Sequence, residues 1–168
     1  MAKKIKKVGI IGAGQMGNGI AHVCALGGHD VYFMDIDKKR LQAAMETIGR
    51  NLSRQVSREK ITEAEMTKAL KRIATGTKYD GFKDCSLVVE AVTEDEQLKK
   101  EIYKELCPVL TPDCLLATNT SSISITRLGA QTDRPERFLG MHFMNPVPVM
   151  ELVELIRGIA TSPETFEM

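Results

Sequence analysis

Val8-Gly9-Ile10-Ile11-Gly12-Ala13-Gly14-Gln15-Met16-Gly17 is the stretch whose reading decides the fold. A short apolar run, Val8–Ile11, meets a glycine-rich turn, and the turn opens a helical pattern that continues through Leu26. Gly12 permits a tight turn, Gly14 lets backbone approach a pyrophosphate, and Gly17 lets helix and strand pack closely. Ala13, Gln15 and Met16 fill the intervening positions of the same phosphate-facing loop. The helix N-terminus then presents unpaired N–H groups and a positive dipole end to phosphate charge. A glycine pattern alone is weak evidence, but this one stands between a strand and a helix, as a dinucleotide site requires. The second apolar run ends at Asp35, roughly twenty residues on, where a carboxylate accepts hydrogen bonds from an adenine ribose and repels a 2′-phosphate. Asp35 therefore favours NAD over NADP, and Lys38, Lys39 and Arg40 just behind it soften that preference.

Working outward, further apolar runs follow at Val31–Met34, Leu87–Val89, Leu115–Ala117 and Phe138–Met141. They are continuous rather than alternating, which suits strands buried on both faces of a parallel sheet. Helical patterns lie between them. Leu41, Met45, Ile48, Leu52 and Val56 recur at spacings of three and four and predict one long amphipathic helix. Thr62 with Glu65 reads as a capping box. Asp95–Leu106 predicts a third helix with Leu98, Ile102 and Leu106 on one stripe. The alternation implies an α/β fold, a Rossmann-type, doubly wound, mostly parallel sheet. Residues 1–168 read as one domain, with no repeat, low-complexity tract or linker. Ser162-Pro163-Glu164 announces a helix, with serine as N-cap and proline at the first helical position, yet Met168 ends the chain barely a turn later. The expectation is a truncated helix near 162–168 and a piece of a longer protein.

The chain has 168 residues, 43% of them hydrophobic, and a net charge of +1. That is enough to build a core, and it gives no global attraction to nucleic acid or membrane. Cys24, Cys85, Cys107 and Cys114 lack metal-site spacing and read as buried reduced thiols, so no metal is expected. The basic stretch Met1–Lys7 imitates the start of a signal peptide, but glycines break the apolar run behind it. A cytoplasmic protein is expected.

The chemistry gathers beyond the carboxyl ends of the strands, where ligands bind in open α/β sheets. Glu94 follows the run Leu87–Val89, Asn119-Thr120-Ser121-Ser122 follows Leu115–Ala117, and His142 with Asn145 follows Phe138–Met141. Pro146 and Pro148 close the last segment, because proline fixes φ and removes a donor. A histidine near neutral pH can take the hydroxyl proton of an alcohol as hydride leaves, with a carboxylate fixing its tautomer. Glu151 and Glu154 both follow on Met150–Ile156, on opposite faces if this is a strand, and either could reach His142. His22 and His29 have no comparable surroundings.

These residues together resemble the L-3-hydroxyacyl-CoA dehydrogenase family, in its bacterial 3-hydroxybutyryl-CoA type. The resemblance spans essentially the whole chain. It rests on Gly12–Gly17, Val89-Glu90-Ala91-Val92-Thr93-Glu94, Asn119-Thr120-Ser121-Ser122 and His142-Phe143-Met144-Asn145-Pro146-Val147-Pro148. It implies oxidation of a short-chain (S)-3-hydroxyacyl-CoA by NAD, with His142 as base and Glu154, not Glu151, as its orienting partner. By the same resemblance Ser121 binds the substrate oxygen near the nicotinamide, Asn145 contacts the cofactor side, and Glu94 and Lys99 bind the proximal ribose and phosphates. It also implies a helical C-terminal domain, absent from this chain, that supplies a further asparagine, covers the substrate and forms most of a homodimer interface.

Arg50, Arg54 and Arg58 recur every four residues, with Lys60 just beyond. Like charges at that spacing disfavour a helix by a few tenths of a kcal/mol per pair. The family places coenzyme A near this helix, so Arg54 and Lys60 are candidates for its phosphates. Two other readings stand beside the acyl-CoA enzyme: a CoA-independent 3-hydroxyacid or polyol dehydrogenase, and a non-catalytic NAD-binding module. The beta-hydroxyacid dehydrogenases share the glycine pattern but use a lysine from the following domain, and the His-Phe-Met-Asn-Pro segment disfavours them.

Overall fold

A computed structural model describes residues 4–168; Met1, Ala2 and Lys3 of the basic N-terminal stretch lie outside the described residues. Seven strands form one sheet in the order β3-β2-β1-β4-β5-β6-β7. They are β1 (Lys7–Ile11), β2 (Asp30–Met34), β3 (Ile73–Gly76), β4 (Leu87–Glu90), β5 (Leu115–Thr118), β6 (Phe138–Phe143) and β7 (Val153–Arg157). All neighbours pair in parallel except β6 with β7, which run antiparallel. The order of the first six is that of the doubly wound dinucleotide-binding sheet, and the order reverses between β1 and β4. The expected Rossmann-type architecture is therefore present. One strand, β3, has no apolar run to announce it: only Ile73 and Gly76 are partly buried, and Ala74 and Thr75 are exposed.

Helices α1 (Gln15–Leu26), α2 (Lys38–Ser57) and α3 (Glu63–Arg72) cover one face. They pack Ile20, Ile48, Leu52 and Ala69 against Val8, Ile10, Val31 and Phe33. Helices α4 (Glu96–Leu106) and α5 (Ile125–Gly129) cover the other, where Ile102, Tyr103, Leu106 and Leu128 meet Ile11, Val88, Leu116 and Phe138. Ile10 and Ile11 face opposite layers because side chains alternate along a strand. A short α6 (Pro163–Glu167) follows, with the Ser162 hydroxyl accepting the Thr165 amide. No helix among the described residues is long and apolar enough to cross a membrane.

The helix boundaries follow their caps. Thr62 and Glu65 form the expected reciprocal capping box of α3. Asp95 is the N-cap of α4, its carboxylate accepting the Leu98 amide at 3.0 Å, so the helix starts one residue later than its sequence pattern suggests. The expected stripe also changes: Leu98 is 38% exposed, and Lys99 and Tyr103 take core positions instead. Helix α2 ends in a Schellman turn, with Lys60 N–H donating to Gln55 O and Glu59 N–H to Val56 O. Glu59 adopts φ 58° there, a position that usually holds glycine. Arg58 is thus the cap, and the regular basic face of α2 stops at Arg54.

Candidate functional site

The site is assembled from loops at the carboxyl edge of the sheet, beginning with the glycine turn. Gly12 has φ 101°, and its amide donates to Met34 O at 2.9 Å, tying the turn to the end of β2. Gly14 is the N-cap of α1 and offers no side chain to the first helical N–H groups, so a ligand oxygen can take that place. A Cβ at Gly14 would meet nothing within 4 Å, whereas one at Gly17 would collide with the Gly12 carbonyl. The two glycines therefore do different work: Gly14 keeps space open, and Gly17 lets α1 touch the turn. Gln15 is exposed, and Met16 packs partly into the core.

Asp35 is nearly buried at the end of β2. Its Oδ2 accepts the Ala13 amide at 2.8 Å and its Oδ1 the Asp37 amide at 2.9 Å. The carboxylate thus fixes the glycine loop as well as facing the crevice. Gly12, Gly14, Asp35, Ile36, Arg40 and Leu98 help line a cavity of about 230 Å³ between the ends of β1, β2 and β4. Leu98 leaves the core stripe because it forms a wall of this cavity.

Past β4, Glu94 receives hydrogen bonds from the Thr120 hydroxyl at 2.6 Å and the Ser122 hydroxyl at 2.9 Å. Burial alone would raise its carboxyl. The Thr120 and Ser122 hydroxyls, the charge of Lys99 and the Ser121 amide outweigh that and hold it below its ordinary value. The loops after β4 and β5 are joined through this one side chain. Lys99, expected among the cofactor ligands, is fully buried, with Nζ 2.7 Å from Glu90 Oε2 and 3.9 Å from Glu94 Oε1. Its ammonium is held by the Glu90 carboxylate.

His142 lies within β6 rather than at its end, and the β6–β7 register sets it directly opposite Glu154. His142 Nδ1 stands 3.6 Å from Glu154 Oε2, somewhat longer than a hydrogen bond. Such distances commonly tighten when substrate binds. Ser121, His142 and Glu154 line one cavity of about 370 Å³, together with Thr126, Ile156 and Arg157. Asn119, next to these residues, accepts the Phe143 amide on its side-chain oxygen at 2.9 Å and so locks β6 to the β5 loop. Asn145 is exposed and begins the cis peptide to Pro146, where the chain turns away from β6.

Glu151 does not compete for His142. It precedes β7, so strand periodicity does not apply to it, and it lines a separate cavity of about 470 Å³. There it joins Arg54, Arg58 and Lys60 from the end of α2 and the Pro146–Met150 segment. The basic residues thus face the turn that follows the His142 strand, which no local sequence pattern reveals.

Sequence reasoning missed Glu90, Tyr103 and Thr118, which with Lys99 form a buried polar cluster behind the crevice. The only signal was a glutamate ending an otherwise apolar run.

The family model described as "3-hydroxyacyl-CoA dehydrogenase, NAD binding domain" matches residues 7–168. A 3-hydroxybutyryl-CoA dehydrogenase of Bradyrhizobium diazoefficiens is 62% identical over 99% of this chain and 57% of its own length. A 3-hydroxyadipyl-CoA dehydrogenase of Escherichia coli K12 is 42% identical over 99% of this chain and 35% of its own. Among solved structures, the (S)-3-hydroxybutyryl-CoA dehydrogenase of Ralstonia eutropha has a TM-score of 0.95 at 49% identity, covering 98% of this chain and 58% of its own. The chain spans a little more than half the length of the two 3-hydroxybutyryl-CoA dehydrogenases and about a third of the 3-hydroxyadipyl-CoA enzyme.

Proposed function

We propose, from the premise that this chain belongs to the 3-hydroxyacyl-CoA dehydrogenase family through its NAD-binding domain, that it is the cofactor-binding part of an NAD-dependent oxidoreductase. The whole protein reversibly oxidises a short-chain (S)-3-hydroxyacyl-CoA to the 3-oxoacyl-CoA. The observation that carries this reading is the cross-strand pair His142–Glu154 facing one cavity with Ser121.

The residues present suit NAD. The uncapped N-terminus of α1, with open space in front of Gly14, can take a pyrophosphate, and the Asp35 carboxylate stands where it discriminates against a 2′-phosphate. Gly12–Gly17 and Asp35 would hold the adenosine half, with Glu94, Ser121 and Asn145 toward the nicotinamide. NAD supplies the hydride acceptor. With Nδ1 turned to Glu154, His142 has Nε2 left to take the hydroxyl proton, and Glu154 stabilises the imidazolium that results. Ser121 donates to the same oxygen and holds the carbon–hydrogen bond in position. In the reductive direction His142 returns the proton. Lys99, buried beneath Glu94, acts through that residue rather than on the cofactor.

The cavity bearing Arg54, Arg58 and Lys60 supports a CoA-linked substrate, since phosphates would relieve the repulsion among these cations. Replacing Arg54 and Lys60 with alanine should raise KM for acyl-CoA and leave NADH binding unchanged; an unchanged KM would remove this part of the reading. Val149, Leu152, Leu155, Ile159 and Phe166 are exposed apolar residues on and around β7, which suits a surface covered by the rest of the whole protein in a homodimer. The direct test is reduction of acetoacetyl-CoA by the whole protein, followed by nicotinamide absorbance with NADH and then NADPH. Turnover with NADH in preference to NADPH is expected, and absence of turnover with both would overturn the proposal.

A further inference from the structure

Glu90 ends β4 and is completely buried. Its carboxylate accepts four hydrogen bonds: Oε2 from Lys99 Nζ at 2.7 Å and the Val92 amide at 2.9 Å, Oε1 from the Tyr103 and Thr118 hydroxyls, both at 2.8 Å. A buried ion pair is a poor device for stability, because desolvation of both charges cancels much of their attraction. The partners suggest another reason for it. Val92 opens the loop that carries Glu94, and Lys99 also approaches Val92 O at 3.5 Å and Glu94 Oε1 at 3.9 Å. Thr118 ends β5, opposite Glu90 in register, and its hydroxyl accepts the Thr120 amide at 3.3 Å at the start of the loop that carries Ser121. Thr120 in turn donates to Glu94. Two adjacent loops are therefore hung from one carboxylate that touches neither ligand site.

We infer that Glu90, neutralised by Lys99, is a positioning residue: it sets the spacing between the Val92–Glu94 loop and the Asn119–Ser122 loop, and so aligns Glu94 and Ser121 with His142. This rests on the dehydrogenase reading of the site. A buried charge with fixed partners defines geometry more narrowly than an apolar contact, because each hydrogen bond has a preferred distance and direction. Tyr103, reaching Glu90 from α4, adds the helix to the same frame.

The test is made on the whole protein with three variants: Glu90→Gln, the double variant Glu90→Gln/Lys99→Met, and Thr118→Val. Glu90→Gln leaves the buried ammonium without its nearest carboxylate and should unfold at a lower temperature. The double variant removes both charges and should regain most of that loss. It should nevertheless turn over acetoacetyl-CoA at least tenfold more slowly and bind NADH several-fold more weakly, with KM for acyl-CoA changed less than threefold. Thr118→Val keeps the charges and the shape and removes the one hydroxyl that joins Glu90 to the Ser121 loop, losing its bond to Glu90 and its bond from the Thr120 amide. It should melt within a few degrees of wild type, with kcat reduced about tenfold and NADH affinity nearly intact. A double variant of restored stability with wild-type kcat and NADH affinity would reduce the pair to a structural role and overturn the inference. Should the double variant not fold, a wild-type kcat in Thr118→Val would overturn it equally. NADH affinity is read by nucleotide fluorescence, so loss of binding in the double variant supports the inference even if wild type fails to reduce acetoacetyl-CoA, which would instead sink the substrate reading.

Discussion

Replacing Gly17 or Gly14 with alanine should give opposite outcomes, and the structure sets the size of each. At Gly17 the added Cβ would overlap the Gly12 carbonyl oxygen and lie 2.9 Å from its carbon. Overpacking usually costs ~1–3 kcal/mol, and the upper end applies because main chain cannot rotate aside. Better helix propensity returns about 1 kcal/mol. The net loss of about 2 kcal/mol should lower Tm by roughly 4–8 °C in a domain of this size. At Gly14 the Cβ meets nothing within 4 Å and φ is an ordinary −76°. A poorer N-cap costs about 0.5–1 kcal/mol, and a stiffer unfolded chain offsets about as much, so Tm should hold within roughly 2 °C. The same methyl group stands where a pyrophosphate would approach, so the Kd for NADH should rise at least about tenfold, or about 1.4 kcal/mol. Circular dichroism melts and NADH fluorescence titrations read the two effects separately. A Gly17→Ala protein with unchanged Tm, or a Gly14→Ala protein with unchanged NADH affinity, would refute the division of labour drawn from the turn.

Glu59→Gly should stabilise the protein: relief of left-handed strain, about 1–2 kcal/mol, exceeds the entropy cost of glycine, about 0.4–1 kcal/mol, and raises Tm by roughly 1–4 °C. A drop in Tm would show that Glu59 has a compensating contact. Burial pushes the Cys24 and Cys85 thiols up to about 12 and Cys114 to about 11, and raises Cys107 as well. The buried Cys85, Cys107 and Cys114 should therefore resist iodoacetamide at pH 8 in the native protein, with all four cysteines labelling once it is unfolded; rapid native labelling of any of those three would contradict the packing. The Glu94 carboxyl sits below its ordinary value of 4.5, so its contribution is complete above that pH and is lost as pH falls through the lowered value. The Tm difference between wild type and Glu94→Gln should accordingly be largest above pH 4.5 and shrink in acid. A difference that grows in acid would reverse the assignment.

Much of the sheet was legible because its central strands are buried on both faces and read as unbroken apolar runs. Strand β3 escaped notice for the opposite reason: at the sheet edge, Ala74 and Thr75 are exposed and form no run. On α4 the periodicity of Leu98, Ile102 and Leu106 was real, but Leu98 turned to the cofactor crevice, while Lys99 and Tyr103 took core positions beside Glu90. A lysine and a glutamate read singly as surface residues, and only their pairing lets both be buried. The glycine turn and its acidic partner were legible because strand, turn and helix are contiguous. The pairing of His142 with Glu154 was not, since it depends on the register of two antiparallel strands, and family resemblance chose the glutamate before geometry did. The cavity joining Arg54 and Lys60 to the Pro146–Glu151 segment lay equally out of reach, because its walls are far apart in the chain.

The central claim is that His142, oriented by Glu154, moves the substrate proton. The measurement that tests it most directly is kcat for acetoacetyl-CoA reduction by the whole protein and by its His142→Gln variant, alongside NADH affinity for each. General acid–base catalysis of this kind is worth about 10²–10⁴-fold. The variant should lose that much in kcat and bind NADH as wild type does. A variant that retains kcat within a few-fold of wild type would contradict the account.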